Sequence, residues 1–330
     1  MSLKRNILTN YFGILEQNRI PKFIQSKYIE VDFDNKEKIE DLWKIHDKAL
    51  EKIKLCETKP DQSILDLKNE IANRIFKKCH FCERRCSVDR NKESGACGVK
   101  YASIASEFLH MGEENVLVPS HTIFFSGCTF NCVFCQNWNI SQKINGLYIK
   151  PEKMTEIIKK KENQGSKNVN WVGGDPTPNI LYILNVLKNL EVSIPQIWNS
   201  NMYCSVESMK LLDGIIDLYL TDFKYGNNLC AKRLSKVDNY FEIVKRNHKL
   251  AYKNGDMIIR HLVMPNHVEC CSKPIIDWIY DNLTDVFVNV MGQYRPEYNA
   301  DKYADISRSV SIPEVNEVKN YAKEKGIFLI

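Results

Sequence analysis

Three closely spaced cysteines, Cys128, Cys132 and Cys135, constrain this chain more than any other feature of its sequence. Their spacing, C-x3-C-x2-C, places three thiols in one short segment. A cubane iron–sulfur cluster is normally held by four cysteine thiolates. A segment that supplies three thiols therefore leaves one iron open to a small molecule, and an open iron is a site for chemistry.

Two other interpretations of this segment compete with an iron–sulfur cluster. Positions i, i+4 and i+7 lie on one face of an α-helix, where buried cysteine packs as a small hydrophobic residue. However, residues 121–125 have the composition of a strand, and Gly127 and Asn131 favour a turn. A zinc site is the second alternative, but three thiols without a nearby fourth ligand leave structural zinc incomplete. An iron–sulfur cluster fits the segment better than either alternative.

A C-x3-C-x2-C loop directly after a strand, with Phe134 just before the last cysteine, resembles the radical S-adenosylmethionine (SAM) superfamily. The phrase Cys-Val-Phe-Cys-Gln-Asn-Trp-Asn-Ile-Ser, residues 132–141, is similar to its pyruvate formate-lyase activating enzyme-like branch, a group from anaerobic prokaryotes. The resemblance implies that the three thiols ligate a 4Fe–4S cluster and that Phe134 lies near the adenine of SAM. It also implies that the reduced cluster cleaves SAM to a 5′-deoxyadenosyl radical, which abstracts a hydrogen atom from a substrate.

Length and composition are typical of a cytoplasmic globular protein. The chain has 330 residues, 44% of them hydrophobic, which suits one large domain plus an appendage. No apolar run approaches the roughly eighteen residues of a membrane span, and the N-terminus lacks a signal-peptide core. Twelve cysteines in a reducing compartment favour metal binding over disulfides. The modest net charge of +5 gives no reason to expect a nucleic acid or membrane partner.

A second group of thiols precedes the cysteine loop. Four cysteines within nineteen residues form a complete ligand set for tetrahedral zinc or for a second 4Fe–4S cluster. They are Cys79, Cys82, Cys86 and Cys97. Arg84 and Arg85 would favour thiolate over thiol for either metal, and the sequence does not choose between the two. Because a complete set has no open position, we expect a structural or electron-relaying role.

The rest of the chain predicts an α/β fold. After residue 116, short β-branched runs alternate with helical stretches, which indicates repeated βα units. Six strands are predicted, at 122–125, 168–172, 196–199, 216–220, 257–263 and 286–290, and a last apolar strand at 327–330. We expect a partial (β/α)6 TIM-like barrel with an N-terminal helical and cysteine-rich metal-binding extension. The predicted divisions are a helical extension at 1–75, a four-cysteine metal-binding module at 76–115 and a radical SAM catalytic domain at 116–330.

Ligands of such barrels bind at the carboxyl ends of the strands, so residues that follow each strand are candidates for cofactor contacts. Gly173 and Gly174 follow the second predicted strand, and paired glycines let backbone approach a ligand closely. The resemblance matches them, with Asp175 in the acidic position, to the segment that binds the SAM amino group. It assigns further cofactor contacts to Asn199, Ser200, Asp222, Lys224, His261 and Met264. The plain alternatives are a turn at 173–178, an ordinary ion pair between Asp222 and Lys224, and a core histidine.

The ends of the fifth and sixth strands predict the substrate side of the cavity. Arg260 and His261 alternate on a strand, so only one is expected to point inward. We place His261 near the cofactor and Arg260 toward a substrate or a partner residue. The remaining substrate candidates are Asn289, Gln293 and Arg295, with ordinary surface polarity as the alternative. The adjacent Cys270 and Cys271 are poorly placed to share one metal, and we expect them to pack or to donate a hydrogen atom.

The resemblance implies a radical SAM oxidoreductase, and the activating enzymes of that branch install a glycyl radical on a partner protein. The alternative is radical modification of a small molecule or a peptide residue, and a noncatalytic iron–sulfur or zinc scaffold is the third hypothesis. Either enzyme needs a low-potential electron donor of the ferredoxin or flavodoxin type. A wide cavity mouth would favour a protein substrate, whereas a closed cavity would favour a small one.

Overall fold

A single eight-stranded sheet organises the computed structural model, which describes residues 3–330. The strands lie side by side in sequence order; the first is antiparallel to the second, and every later pair is parallel. They are β1 (Ile104–His110), β2 (Ser120–Phe125), β3 (Val169–Gly173), β4 (Gln196–Ser200), β5 (Leu218–Asp222), β6 (Asp256–Leu262), β7 (Phe287–Met291) and β8 (Phe328–Leu329). The parallel strands β2 to β7 are the six that the sequence predicts, and the partial barrel fold is confirmed.

The antiparallel strand β1 was not predicted. Only its first residue, Ile104, is buried, and the residues that follow are half-buried or exposed to solvent. It pairs with β2 from Ile104 opposite Phe125 to His110 opposite Ser120. The sheet therefore crosses the predicted boundary at residue 115. The division into three parts stays a proposal. The last of the four cysteines, Cys97, precedes the first strand, which begins at Ile104.

Helices fill the connections between the strands. Five precede the sheet: α1 (Leu3–Ile7), α2 (Thr9–Leu15), α3 (Lys22–Ser26), α4 (Ile39–Glu51) and α5 (Ile64–Lys77). The others are α6 (Trp138–Ser141), α7 (Pro151–Asn163), α8 (Ile180–Asn189), α9 (Val206–Leu212), α10 (Asn228–Ser235), α11 (Tyr240–Asn254), α12 (Lys273–Asn282) and α13 (Ile312–Glu324). Short 3₁₀ turns lie at Thr177–Asn179, Ala300–Lys302 and Ala304–Ile306, and a π-helix spans Val268–Ser272. Within residues 3–330, none of these helices combines the length and apolarity needed to cross a bilayer.

Local sequence signals explain where several helices begin. Ser63 and Asp66 form a capping box at the start of α5, and Ser311 and Glu314 form another at α13. Pro151 occupies the first turn of α7, where its missing amide costs no hydrogen bond. These signals fix helix starts on the chain, and the packing of the apolar faces then fixes helix positions in space.

The first two helices close the amino end of the barrel. Leu8 and Tyr11 are fully buried and belong to an apolar cluster with Leu218 and Ile258 of the central strands. The Tyr11 amide donates to Asp256 Oδ2 at 2.7 Å, and its hydroxyl accepts from Asn168 Nδ2 at 2.9 Å. Because these helices cover the amino end, a ligand can bind only at the carboxyl ends of the strands, where parallel barrels place their active sites.

Candidate active site

The cysteine loop begins where β2 ends and lies at the carboxyl end of the barrel. Gly127 adopts a left-handed φ of +84°, which favours glycine and turns the chain sharply before Cys128. Cys128 and Cys132 are buried and Cys135 is half-buried. All three thiols line one cavity of about 620 Å³, a volume within the usual range of small-molecule sites.

Each thiol of the loop has a polar neighbour. The Phe130 amide donates to Cys128 Sγ at 3.3 Å, and Asn201 Nδ2 lies 3.7 Å from the same sulfur. Cys132 Sγ lies 2.9 Å from Ser235 Oγ, and Cys135 Sγ lies 3.0 Å from Ser141 Oγ. Neutral donors around sulfur stabilise thiolates and tune a bound cluster. The donor set therefore fits an iron–sulfur cluster held by these three cysteines.

The paired glycines after β3 bring that strand against the cysteine loop. A Cβ atom at Gly173 would lie 2.1 Å from the Phe125 amide nitrogen, and one at Gly174 would lie 2.0 Å from the Gly127 oxygen. The Asp175 amide also donates to the Gly127 oxygen at 3.0 Å. Both glycines line the cavity. Their close approach is made to the loop that carries the thiols, and a contact of Gly173 or Gly174 with SAM stays a prediction.

Asp175 is buried behind the cavity wall rather than among the residues that line the cavity. Its carboxylate accepts from Ser200 Oγ at 2.8 Å, from Thr129 Oγ1 at 3.4 Å and from the Asn201 amide at 3.3 Å. Burial raises the pKa of Asp175, although these donors oppose the shift. The carboxylate ties the cysteine loop to the end of β4. Its predicted contact with the SAM amino group therefore stays a prediction.

Polar residues at and just beyond the carboxyl ends of β4 and β5 line the wall of the cavity. Asn199, Ser200, Asp222 and Lys224 all face it, as the sequence predicts for cofactor-binding residues. Lys224 Nζ lies 2.5 Å from Asp222 Oδ2. Burial works against the charge of Lys224, but the Asp222 carboxylate and the nearby Cys132 thiol outweigh it, so that the pKa of Lys224 is raised. The cation is therefore retained beside the cysteine loop.

A cluster of two carboxylates, one guanidinium and one amide lines another part of the cavity, which we call the acidic wall: Glu113, Glu114, Arg260 and Asn289. Arg260 Nε donates to Glu114 Oε1 at 2.9 Å and Nη2 donates to Oε2 at 2.7 Å, while Nη2 also pairs closely with Glu113. Asn289 Nδ2 donates to Glu114 Oε1 at 2.9 Å. Burial opposes ionisation of Glu114, but Arg260 and Asn289 hold its pKa below the usual range. Two carboxylates thus face one guanidinium.

The two glutamates were missed because they lie in the connection after β1, the strand that was not predicted. The sequence signal was the adjacent Glu113-Glu114 pair, which reads as a solvated turn until the antiparallel strand brings it to the barrel. Both side chains are nearly inaccessible to solvent.

Besides Asp175, three of the predicted cofactor and substrate residues lie away from the cavity. His261 is buried in the wall, with Nδ1 at 2.8 Å from the Phe223 oxygen and Nε2 at 2.8 Å from Ser272 Oγ. Arg260 therefore lines the cavity and His261 does not, and a contact of His261 with the cofactor stays a prediction. Met264 is a buried core residue that does not line the cavity, and its contact with the cofactor also stays a prediction.

Arg295 is the third of these residues, and its side chain is 64% exposed and pairs with Glu297 at 2.8 Å on a surface loop. Arg295 does not line the cavity, although the sequence analysis names it as a substrate candidate. Gln293 and Asn289 do line the cavity, and so does Phe134, which packs against Tyr225 and Tyr294. Their roles toward SAM and substrate stay predictions.

The four-cysteine segment docks directly on the cysteine loop. The Cys97 oxygen would lie 2.9 Å from a Cβ atom at Gly127, and Arg84 Nε donates to the Thr129 oxygen at 2.5 Å. Cys79 and Cys82 are buried, and Arg90 Nη1 lies 3.7 Å from Cys79 Sγ. A metal held by these thiols would therefore lie next to the cysteine loop.

Comparison with known proteins agrees with this arrangement. The profile of the radical SAM superfamily matches residues 122–279, the segment from β2 through most of α12. An uncharacterized protein of Methanocaldococcus jannaschii, MJ0674, is 51% identical over 338 aligned positions, which cover 98% of this chain and 99% of the relative. The chain belongs to the radical SAM superfamily. Membership implies a 4Fe–4S cluster and SAM as cofactors, and the thiols of the cysteine loop are the residues that fit the cluster.

Solved structures that the chain matches include two proteins of low sequence identity. Streptococcus suis SuiB bound to its precursor peptide SuiA matches with a TM-score of 0.45 and 15% identity, over 88% of this chain and 60% of SuiB. Methylornithine synthase (PylB) matches with a TM-score of 0.47 and 14% identity, over 97% of this chain and 78% of the synthase. None of these matches singles out the pyruvate formate-lyase activating branch of the radical SAM superfamily.

Proposed function

We propose that this radical SAM enzyme removes a hydrogen atom from a small organic molecule or a peptide side chain bound against the acidic wall. One observation carries the proposal: the thiols of the cysteine loop and the side chains of the acidic wall line the same cavity of about 620 Å³. When bound, the cluster and SAM supply the 5′-deoxyadenosyl radical. The residues of the chain bind, orient and shield the reactants.

The residues around the cysteine loop are suited to bind a zwitterionic cofactor. Lys224 offers a buried cation for a carboxylate, and Asp222 beside it offers acceptors for hydroxyl or ammonium groups. Asn199 and Ser200 add neutral polar groups from the end of β4. Phe134 provides an apolar surface within the same lining. These groups support the assignment of this part of the cavity to SAM.

The acidic wall supports a substrate with a positively charged or strongly donating group. Glu113 and Glu114 together carry more negative charge than the single guanidinium of Arg260 offsets. Glu113 Oε1 accepts only a 3.2 Å bond from Asn170 and lies 3.9 Å from His110 Nδ1. An ammonium or guanidinium group on a substrate would complete this charge balance. We therefore infer an amine-containing substrate.

The four-cysteine segment would relay electrons to the active site. Four thiols around one tetrahedral zinc ion lie about 3.8 Å apart, since each Zn–S bond is about 2.3 Å. Within residues 3–330, the four thiols of this segment do not form a group whose ligand atoms all lie within 4.8 Å of one another. This wider spacing favours a second 4Fe–4S cluster, whose thiolates bind separate irons. A ferredoxin- or flavodoxin-type donor would deliver the electron there.

Glycyl radical installation on a partner protein is the competing proposal, and it rests on the resemblance of residues 132–141. A glycine of a folded partner reaches a cavity only as an extended loop, and glycine brings no side chain to the acidic wall. The charged groups of Glu113, Glu114 and Arg260 would then have no substrate partner. We therefore favour the smaller substrate.

The test measures the transfer of a hydrogen atom from the substrate into 5′-deoxyadenosine, the product derived from SAM. The reconstituted enzyme is reduced without oxygen and incubated with SAM and with a cell extract from cells grown in heavy water. The extract is separated into protein and low-molecular-weight fractions, and 5′-deoxyadenosine is analysed by mass spectrometry. We expect deuterium in this product with the low-molecular-weight fraction or its peptides. Deuterium only with the protein fraction would support the activating enzyme instead.

Two variants make the test specific. Cys128→Ala should abolish 5′-deoxyadenosine, whereas Cys56→Ala should leave it unchanged, because Cys56 lies outside both cysteine groups. Glu114→Gln should keep cleavage of SAM in the absence of substrate but lose deuterium transfer. Absence of 5′-deoxyadenosine from the wild-type enzyme with a full cluster would contradict the proposed function.

A further inference from the structure

Three cysteines outside both cysteine groups meet one histidine at the carboxyl end of the barrel. Cys230 lies in the first turn of α10, which follows β5, and His267, Cys270 and Cys271 lie in and beside the π-helix that follows β6. Their ligand atoms all lie within 4.8 Å of one another, and within residues 3–330 this is the group that meets that criterion. We name it the Cys3His cluster.

We propose that the Cys3His cluster binds a structural zinc ion. A tetrahedral ion with Zn–S bonds of about 2.3 Å and a Zn–N bond of about 2.0 Å requires S–S separations near 3.8 Å and S–N separations near 3.5 Å. Cys270 Sγ lies 4.0 Å from Cys230 Sγ and 3.8 Å from Cys271 Sγ. His267 Nδ1 lies 3.4 Å from Cys270 Sγ and 3.6 Å from Cys271 Sγ. These four distances match four of the six edges of such a tetrahedron.

The local backbone explains how adjacent cysteines reach one ion. Cys270 and Cys271 stand three and four residues after His267, and both of these positions neighbour His267 on a helical surface. The amides of Cys271 and Ser272 both donate to the His267 oxygen, at 3.0 and 3.1 Å, which widens the turn into a π-helix. This wider turn places both adjacent cysteines beside the imidazole, although the sequence alone suggests that they are poorly placed to share one metal.

Outer contacts hold the ligands as they do in known zinc sites. His267 Nε2 lies 3.0 Å from Asp305 Oδ2, so that Nδ1 is left to face the thiols. Arg233 fixes that carboxylate through both of its oxygens, with Nη1 at 3.0 Å from Oδ1. Carboxylate–histidine pairs of this kind orient metal-binding imidazoles. If these cysteines only packed in the core, no imidazole would need to be oriented toward their thiols.

Asn227 joins the two segments that supply the ligands. Its Oδ1 accepts from the Cys230 amide at 2.8 Å, and its Nδ2 donates to the Cys270 oxygen at 2.7 Å. Gly226 lets the chains approach, because a Cβ atom there would lie 2.7 Å from the Cys271 oxygen. The zinc ion would thus cross-link the connections after β5 and β6, and through Asp305 the connection after β7.

The ligand set fits neither an iron–sulfur cubane nor a catalytic metal site with an open position. Thiolates of a cubane bind separate irons at its corners, so they lie farther apart than ligands of a single ion. An open catalytic position is also absent, since four protein ligands complete a tetrahedron. A mixed set of thiolates and imidazole favours zinc among single ions. The ion would hold the barrel rim and would take no part in hydrogen abstraction.

The test counts metals in the full chain purified without oxygen. Zinc and iron are measured in the wild type, in Cys230→Ser and in His267→Ala, with Cys56→Ser and Cys204→Ser as matched controls. We expect both cluster variants to lose one zinc ion per chain relative to wild type with iron unchanged, and both controls to keep wild-type zinc. Unchanged zinc in Cys230→Ser, or a loss of iron in its place, would overturn the proposal.

A second measurement stands even if these variants fail to fold. Zinc-edge X-ray absorption of the wild-type protein should show a shell of sulfur with one nitrogen, and an all-sulfur or oxygen-rich shell would overturn the proposal. Asp305→Asn should weaken zinc by about 10- to 100-fold in competition with a chelator, because the imidazole loses its orienting carboxylate. A disulfide among these cysteines in freshly isolated wild type, without zinc, would also overturn it.

Discussion

A methyl group at Gly174 would stand 2.0 Å from the carbonyl oxygen of Gly127. Gly127 immediately precedes Cys128, so this contact sets how closely the cysteine loop lies against the end of β3. We expect Gly174→Ala to displace the loop and to remove the roughly four irons of the cluster held there. Iron and sulfide analysis after anaerobic reconstitution measures the loss.

Gly165→Ala is the control for this prediction. Gly165 has a positive φ, +93°, and no atom lies within 4 Å of its Cβ position. That variant should lose about 1 kcal/mol of stability from backbone strain and keep its iron. A Gly174→Ala protein with full iron content would show that the loop tolerates the displacement.

Arg260 neutralises two carboxylates that are nearly inaccessible to solvent, so its removal should be costly. Arg260→Leu leaves Glu113 and Glu114 without their cation, and breaking such a buried pair costs about 3 to 5 kcal/mol. Urea unfolding without oxygen measures the free energy of unfolding. Arg308→Leu, which removes a solvent-exposed guanidinium that pairs with Glu314, should cost much less. Equal losses in the two variants would contradict the buried network.

The metal of the four-cysteine segment can be identified by one substitution. Cys79→Ala should remove about four irons per chain and leave zinc unchanged, because we propose that these thiols hold a second cluster. Cys128→Ala should remove a similar amount of iron from the other site. Metal analysis of both variants beside wild type decides the point. Loss of zinc with full retention of iron in Cys79→Ala would show that these thiols hold zinc and not a second cluster.

The buried His248 should make stability fall in mild acid. Burial lowers the pKa of His248 from 6.5 to about 4, and its Nδ1 lies 2.8 Å from the Val244 oxygen. Below pH 6.5 the unfolded chain takes up a proton that the folded chain refuses until about pH 4, so stability is full above this window and falls within it.

The expected loss from this one group is about 1.4 kcal/mol per pH unit once the pH is well below 6.5. His248→Leu should flatten the dependence by that amount between about pH 6 and pH 5. Urea unfolding at stepped pH values measures both proteins. An unchanged slope in the variant would show that His248 is already protonated in the folded chain.

The sequence predicted most of the barrel because its strands are short, β-branched and separated by turn residues. The structure has α7, α9 and α12 between successive parallel strands, as the predicted alternation of strands and helical stretches requires. The strand β1 escaped because an edge strand exposed on one face has a weak apolar pattern. The acidic wall was lost with it, since Glu113 and Glu114 depend on β1 for their position.

The sequence by itself determined the thiols of the cysteine loop, since three cysteines at that spacing after a strand leave few alternatives. It also located Gly174, Asp222 and Lys224, because residues that follow parallel strands meet at one end of a barrel. These conclusions need only local spacing and the order of the elements.

Only the tertiary structure decided which side chains face inward and which distant residues meet. It turned His261 into the wall and Arg260 into the cavity, because neighbours on a strand point to opposite faces and their partners lie on other elements. It also brought Cys230 to Cys270 across 40 positions of the chain. Local patterns carry no information on such contacts, since they form only when separate connections pack at the same rim.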